Sequence, residues 1–330
     1  MKIKEKLKRN STLRKLVKRR KIKKEYLTDF YDFSKYYNDS FKETLEGIEY
    51  KILLLVHSLE KGMCHKELRP FGEKKIADLI ELLKQYVSLS HKNSSAFLMG
   101  ISIINKWIII YDENKFEKSD VYKCANTFID EYYDIKNEVD TGKFLYRIND
   151  YEKQLSINYY DFVKSRHSVR EFLDKPISQN DIEYCINSAI LSPTACNRQM
   201  VKIYSVETKN KKELLDEIIM GLSGFEKSNI HYFVITFDIC AFSFYGERNQ
   251  GYFNAGLVAM NLVNAMHSRK IGSCFLQWGN TSIEEKNIKK SLDIPENEKI
   301  AVVIAAGYYK ENSTIPLSHR KKMEENYKKI

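Results

Sequence analysis

Two arginines and a serine alternate in the segment Arg166-His-Ser-Val-Arg170. If this segment is extended, Arg166, Ser168 and Arg170 share one side of it, because alternate side chains of an extended chain point to the same face. Two guanidinium groups and a hydroxyl on one face could bind a single phosphate. A solvated basic pair near a helix end is the alternative, and this short segment alone leaves both interpretations open.

A second polar cluster is the segment Ser192-Pro-Thr-Ala-Cys-Asn-Arg-Gln199, which follows a predicted amphipathic helix. Pro193 is expected to end that helix, and Thr194 keeps the loop small. The amides of Asn197 and Gln199 donate and accept hydrogen bonds, so they could bind the edge of a planar heterocycle. Asn in a turn also often bonds its own backbone, and this alternative stays open.

Two later segments add a glycine-rich element and a basic run. Gly272-Ser-Cys-Phe-Leu-Gln-Trp-Gly279 follows a long predicted helix, and glycine there lets the backbone approach a ligand closely. Ser318-His-Arg-Lys-Lys322, which contains Arg320, follows a predicted strand that ends at Gly307. Neither segment indicates a reaction by itself.

The elements that must position these residues differ between the two halves of the chain. From about residue 25 to 150 the pattern is helical almost throughout, and the segments His57–His65 and Leu68–Gly72 are predicted to form an ordered loop between helices. Two sets of residues have the spacing of one helix face: Ile48, Ile52, Leu55 and Val56, and Ile76, Leu79, Ile80 and Leu83.

Beyond about residue 155, runs of strand length occur among helices: Val201–Glu207, Tyr232–Phe237 and Ile300–Ala306. Ser178 and Asp181 have the spacing of a helix cap and predict a helix over Asp181–Leu191. A long helix is predicted from Tyr252 to Ser268, with apolar residues on more than one side. The sequence therefore predicts an α+β domain preceded by an all-α N-terminal domain.

The net charge of +10 comes from the first 24 residues, which carry +12 and leave about −2 for residues 25–330. We therefore predict a basic arm at 1–24, a helical domain at 25–155 and a second domain at 156–330. The arm lacks the apolar core of a signal peptide. It is either a solvated, frayed segment or a surface that binds anionic lipid or phosphate.

The sequence predicts no membrane span, because no stretch reaches about 18 uncharged apolar residues. The best candidate, Ile101–Tyr111, contains Asn105 and Lys106. The six cysteines are scattered, with no Cys-x-x-Cys pair and no clustered His, so neither a metal site nor a disulfide framework is predicted. We expect a reducing, cytoplasmic setting.

Taken in order, these segments resemble the nitroreductase family of flavin enzymes over roughly residues 160–330. The resemblance implies a nitroreductase-like mixed sheet flanked by helices. It rests on an ordered set of elements: Arg166-x-Ser168-x-Arg170, Ser192-Pro193-x-x-x-Asn197-x-Gln199, the stretch Ala255–Leu262, Gly272–Cys274, Gly307-Tyr308 and a basic C-terminal run.

The resemblance implies that this half of the chain binds FMN. Arg166, Ser168 and Arg170 would hold the phosphate and ribityl chain, with added charge from Arg320, and Asn197 would contact the isoalloxazine or the ribityl chain. The implied cofactor-binding residues are Arg166, Ser168, Arg170, Pro193, Thr194, Asn197, Gln199, Gly272 and Arg320.

The implied activity is transfer of electrons from NADH or NADPH through FMN to a small organic acceptor, in a homodimer with FMN at the subunit interface. No acid–base side chain and no specific nucleic-acid partner is indicated. One alternative is a specialised flavin reaction on a biosynthetic intermediate, with the helical domain shaping the pocket. The other is a non-catalytic scaffold of the same fold whose basic arm binds a membrane surface or a polyanion.

The sequence departs from the family pattern at several positions. Thr194 stands where serine is commoner, Arg198 is unusual inside its loop, and Gln277-Trp278-Gly279 replaces the commoner Pro-x-Glu-Gly flavin contact. The N-terminal segments His57–Gly62 and Arg69–Gly72 resemble the helical extension of nitroreductase-family proteins associated with bacterial polysaccharide biosynthesis. They would either fix an interhelical loop or contribute to a substrate pocket.

Overall fold

The computed structural model of the protein describes residues 11–37, 44–65, 67–90, 94–143, 157–220, 222, 225, 230–243, 245–313 and 323–330. Arg320 and the boundary predicted near residue 155 lie outside these residues. The helices are α1 Ser11–Tyr36, α2 Leu45–Met63, α3 Glu73–Leu89, α4 Ser95–Glu113, α5 Asp120–Glu131, α6 Tyr159–Ser165, α7 Gln179–Ile190, α8 Lys209–Ile218, α9 Gln250–Ser268, α10 Ser282–Leu292 and α11 Met323–Asn326. The strands are β1 Val201–Val206, β2 His231–Asp238, β3 Ile271–Leu276 and β4 Glu298–Tyr308.

Helices α2 to α5 share one hydrophobic core. The apolar face predicted for α3 is confirmed, since Ile76, Leu79, Ile80 and Leu83 are all buried. Helix α4 is long and apolar enough to cross a membrane by length and composition, and 67% of it is buried inside this core. Its apolar character is therefore accounted for by packing against its neighbours.

The loop predicted over His57–His65 is wrong for its first part, because α2 continues through to Met63. Glycine usually weakens a helix interior by about 1 kcal/mol relative to alanine. Here Gly62 lets the ring of Phe71 pack directly on the helix, since a Cβ at this position would lie 2.7 Å from that ring. The chain leaves the helix at Cys64 and enters α3 at Gly72, whose φ of +78° suits glycine.

The C-terminal half is built on a sheet with the strand order β1-β2-β4-β3, in which every neighbouring pair is antiparallel. The three strands predicted from sequence are present, and β3 completes the sheet. Phe233, Ile235 and Phe237 of β2 pack with α7 and α9, while Tyr232 and Val234 pack on the other face with α8 and α10. The α+β prediction is confirmed, with helices on both faces of the sheet.

Helix α1 runs without a break through residue 25, where the sequence predicted the end of the basic arm. Its second half packs on the C-terminal unit instead of the helical core. Lys299 of β4 lies 3.1 Å from Asp29 and 3.2 Å from Asp32, and Tyr36 donates a hydrogen bond to Glu296 at 2.9 Å. These long-range contacts join residues 25–36 to the sheet.

Candidate functional site

The segment that contains Arg166, Ser168 and Arg170 leaves α6 and runs beside β3. Ser168 forms a parallel bridge with Ser273, and the Val169 amide donates to the Ser273 carbonyl at 3.0 Å. This bridge supplies the only parallel pairing that the described residues show. The segment is therefore extended around Ser168, which is the conformation assumed when Arg166, Ser168 and Arg170 were grouped on one face.

The Ser168 hydroxyl hydrogen-bonds the Cys274 thiol of β3, and the charges of Arg166 and Arg170 act on the same thiol. Burial raises the pKa of the Cys274 thiol, and the charges of Arg170 and Arg166 and the Ser168 hydrogen bond partly offset this effect. Arg170 also lies over the ring of Phe225, with 5.9 Å between its guanidinium carbon and the ring centroid.

Arg166 has a buried Nε that makes no hydrogen bond within the described part of the chain. Ser165 Oγ lies 2.8 Å from His267 Nε2, and His267 Nδ1 lies 2.9 Å from the Tyr309 hydroxyl. Burial and the Arg166 charge both lower the pKa of His267. A buried donor without an acceptor is unfavourable, and an oxyanion placed here would satisfy it.

Gly272 lies inside β3, and its surroundings are protein atoms. A Cβ at this position would lie 3.1 Å from the ring of Tyr309 and 3.2 Å from Cβ of Val169. The absence of a side chain therefore lets the Arg166–Arg170 segment and the chain after β4 pack closely against β3.

The loop from Ser192 to Gln199 has an unusual backbone. Cys196, Asn197 and Gln199 have φ values of 52°, 52° and 54°, in the left-handed region that residues with a Cβ seldom occupy. Thr194 stabilises the loop from both of its oxygens. Its carbonyl accepts from the Asn197 amide at 2.9 Å, and its hydroxyl accepts from the Gln199 amide at 3.0 Å.

The predicted contact side chains of this loop are accessible. Pro193, Asn197 and Gln199 are exposed, and Thr194 is half-buried. The loop is anchored beneath them, because Asn254 of α9 accepts a hydrogen bond from the Ala195 amide at 2.8 Å. The amide groups of Asn197 and Gln199 are thus presented outward from a fixed backbone.

Arg198, which departs from the family pattern, is a buried anchor of the same loop with a side chain only 2% exposed. Its Nε donates to the Ala195 carbonyl at 3.1 Å and its Nη1 to the Ala241 carbonyl at 2.6 Å. Its Nη1 and Nη2 also bind the two carboxylate oxygens of Glu247, at 3.0 and 2.5 Å. Sequence reasoning missed this role and missed Asn254 and Glu247, because their partners are distant in the chain.

The two groups of predicted site residues lie at opposite ends of α9. The Ser192–Gln199 loop contacts Asn254 near the start of the helix. Ser165, which directly precedes the Arg166 group (Arg166, Ser168 and Arg170), contacts His267 near its end. With a rise of 1.5 Å per residue, these two positions are about 20 Å apart. One chain therefore does not bring the two groups together.

The N-terminal motif has a mainly structural arrangement. His57 Nδ1 lies 3.6 Å from Glu60 Oε2, and Glu60 accepts from the Gly142 amide at 3.3 Å. The Phe71 carbonyl accepts hydrogen bonds from Trp107 at 2.8 Å and Tyr111 at 3.0 Å, which fixes the segment before α3. This segment also lines a cleft of about 490 Å³. The lining residues are Ser58, Gly62, His65, Glu67, Leu68, Arg69, Phe71, Gly72 and Lys75.

A family model matches most of the C-terminal half. Residues 163–229 and 243–308 match the model of the Nitroreductase family. This part of the chain has a nitroreductase-like fold. The matched residues include the Arg166–Arg170 segment, the Ser192–Gln199 loop, α9 and three of the four strands, β1, β3 and β4.

Individual relatives are remote. An NADPH-dependent oxidoreductase of Staphylococcus aureus is 24% identical over 155 aligned residues, covering 43% of this chain and 61% of that protein. The match thus spans less than two-thirds of that relative's length. An FMN-dependent nitroreductase from Clostridium difficile has a TM-score of 0.41 at 21% identity, covering 48% of this chain and 91% of that one. A nitroreductase-like protein from Bacillus cereus has a TM-score of 0.44 at 17% identity, covering 53% and 96%.

Proposed function

We propose that the protein is an FMN-dependent oxidoreductase that uses NADH or NADPH to reduce a small organic acceptor. The observation that carries the proposal is the buried Nε of Arg166, which has no hydrogen-bond partner among the described residues and lies in the same segment as Ser168 and Arg170. This segment falls within the match to the nitroreductase family. A cytoplasmic setting belongs to the same proposal, and the six free cysteines are compatible with it.

The residues present fit an FMN phosphate. Arg166 and Arg170 would neutralise its charge, and the Ser168 hydroxyl would donate a further hydrogen bond. Asn197 and Gln199 would bind polar atoms of the ring or of the ribityl chain from a loop whose backbone is already fixed. FMN, when bound, supplies the electron-transfer chemistry, and the chain's part is to bind and orient the ring.

An absorption spectrum tests this function. We expect the purified protein, or the apoprotein after incubation with FMN, to show the yellow flavin spectrum. Adding NADH or NADPH without oxygen should bleach it, and a quinone or nitroaromatic probe should restore it. A protein that remains colourless after incubation with FMN, or a bound flavin that neither nucleotide reduces, would contradict the proposal.

We further propose that a second copy of the chain completes the site. Val258, Leu262 and Val263 of α9 are buried in the chain's own core, whereas Phe253 is 63% and Met260 is 36% exposed. If two copies of α9 cross antiparallel about a twofold axis near Met260, one turn from Gly256, the start of each helix lies beside the end of the other. The Ser192–Gln199 loop of one protomer then faces the Arg166 group of its partner.

Gly256 provides a clean test of this dimer, because a Cβ at this position meets no atom within 4 Å in the single chain. Gly256→Arg should leave the protomer folded but prevent the helices from approaching. We expect wild type to scatter light as a dimer and the variant to be a monomer with weakened FMN binding. Gly256→Ala is the matched control and should remain dimeric. A Gly256→Arg protein that stays dimeric and keeps full FMN affinity would exclude this interface.

A further inference from the structure

Helix α1 has two halves with different surroundings. The second half is fixed to the C-terminal unit by the ion pairs of Asp29 and Asp32 with Lys299, and by Glu25, which accepts from the Ser282 amide at 2.9 Å. Phe33 stacks on Phe242, with ring centroids 6.2 Å apart. In the first half, residues 11–24, every residue from Lys15 onward is exposed, so this half extends from a fixed base.

The first half of α1 is strongly cationic. It carries eight basic residues and no acidic residue between Ser11 and Lys24. From Lys15 to Lys24 every residue is exposed, including seven Lys and Arg side chains. The acidic residues of the helix begin at Glu25, where it meets the C-terminal unit. Charge is therefore divided along the helix, with acids at the docked half and bases at the extending half.

Apolar residues lie on one face of this cationic segment. Leu13, Leu16 and Val17 have the i, i+3, i+4 spacing of one helix face and are 40%, 55% and 48% exposed. Leu27, 42% exposed, continues this face in the docked half. At 100° per residue, Ile22 lies on the opposite side of the helix from Leu13. Exposed leucine and valine between lysine and arginine side chains are typical of helices that lie in a membrane interface.

We propose that residues 11–24 of α1 bind the surface of an anionic membrane and hold the nitroreductase-like unit there through the docked half of the helix. Leu16 and Val17 enter the boundary between headgroups and acyl chains, and the surrounding lysines and arginines bind anionic headgroups while their stems cover apolar surface. Nucleic acid would use the same positive charge but offers no apolar phase for Leu16 and Val17. The exposed apolar face therefore favours lipid.

Vesicle flotation with the full chain tests the proposal. We expect binding to phosphatidylcholine vesicles that contain phosphatidylserine, weak binding to phosphatidylcholine alone, and release by high salt. Leu16→Gln/Val17→Gln keeps every charge and should lower the partition coefficient by roughly tenfold. Gln is a good helix former and both sites are exposed, so the fold should be unaffected. Circular dichroism and the urea midpoint check this directly.

The matched control is Ile22→Gln, which makes a similar exchange at a site that is 45% exposed on the other face. Its partition coefficient should stay within about twofold of wild type. Deleting residues 1–24 should abolish vesicle binding but leave FMN content and nicotinamide oxidation unchanged, which separates this proposal from the flavin proposal. Failure to bind anionic vesicles overturns it. An unchanged partition coefficient for Leu16→Gln/Val17→Gln also overturns the proposal. It would show that residues 11–24 bind any polyanion, such as duplex DNA, through charge alone.

Discussion

Replacing Arg166 and Arg170 together by alanine is expected to weaken FMN binding by roughly 10²- to 10⁴-fold, because each charge-assisted contact contributes about 1.5–3 kcal/mol. The two contacts would act on the same phosphate, so their effects need not be additive. Arg166 should be the more sensitive of the two, since its buried Nε makes no hydrogen bond within the described residues. Titrating apoprotein into FMN and following flavin fluorescence measures the affinity.

Lys164→Ala is the matched control, because it removes a positive charge from the exposed side of α6 only two residues before Arg166. FMN affinity should then stay within a few-fold of wild type, since exposed charges are largely screened by salt. Equal losses in Lys164→Ala and in Arg166→Ala/Arg170→Ala would indicate a general charge effect. Unchanged affinity in the double variant would remove the phosphate assignment altogether.

The parts of the fold that the sequence predicted are those specified by local patterns. The apolar spacing of α3 and the Ser178 cap of α7 are local, and the Ser178 hydroxyl does accept from the Asp181 amide at 3.2 Å. Strand β3 was not predicted, because Gly272 and Ser273 have low strand propensity. Its position between β4 and the Arg166–Arg170 segment comes from tertiary packing. The continuation of α2 beyond His57 was missed for a similar reason, since the contact between Gly62 and Phe71 forms only after folding.

In the candidate site, too, only the features specified by local sequence patterns could be predicted. Arg166, Ser168 and Arg170 could be grouped from sequence because they occupy alternate positions in a short segment. The anchors of the second loop could not, since Arg198, Asn254 and Glu247 meet only when α9 packs against that loop. The docking of α1 depends on Lys299, which is far away in the chain. Spacing therefore groups the residues that we propose bind the ligand, but it does not identify the residues that hold them in place.

Replacing the buried Arg198 by methionine is expected to lower the free energy of unfolding by about 3–5 kcal/mol, because the Glu247 carboxylate loses its cationic partner and the Ala195 and Ala241 carbonyls lose a side-chain donor. It should also weaken FMN binding, since Arg198 holds the loop in which Cys196, Asn197 and Gln199 are left-handed. Urea denaturation followed by circular dichroism measures the stability. Lys211→Met is the control, because it breaks an exposed ion pair with Asp293 and should change stability by less than about 1 kcal/mol.

The double variant Arg198→Met/Glu247→Leu separates the two effects of Arg198. Removing both charges eliminates the carboxylate that lost its Arg198 partner, so much of the lost stability should return. FMN affinity should not return, because the guanidinium that binds the Ala195 and Ala241 carbonyls is still missing and the loop is free to leave its left-handed conformation. Recovery of both quantities would mean that the buried charge alone disturbed the protein. An Arg198→Met protein within about 1 kcal/mol of wild type would show that Arg198 does not anchor the loop.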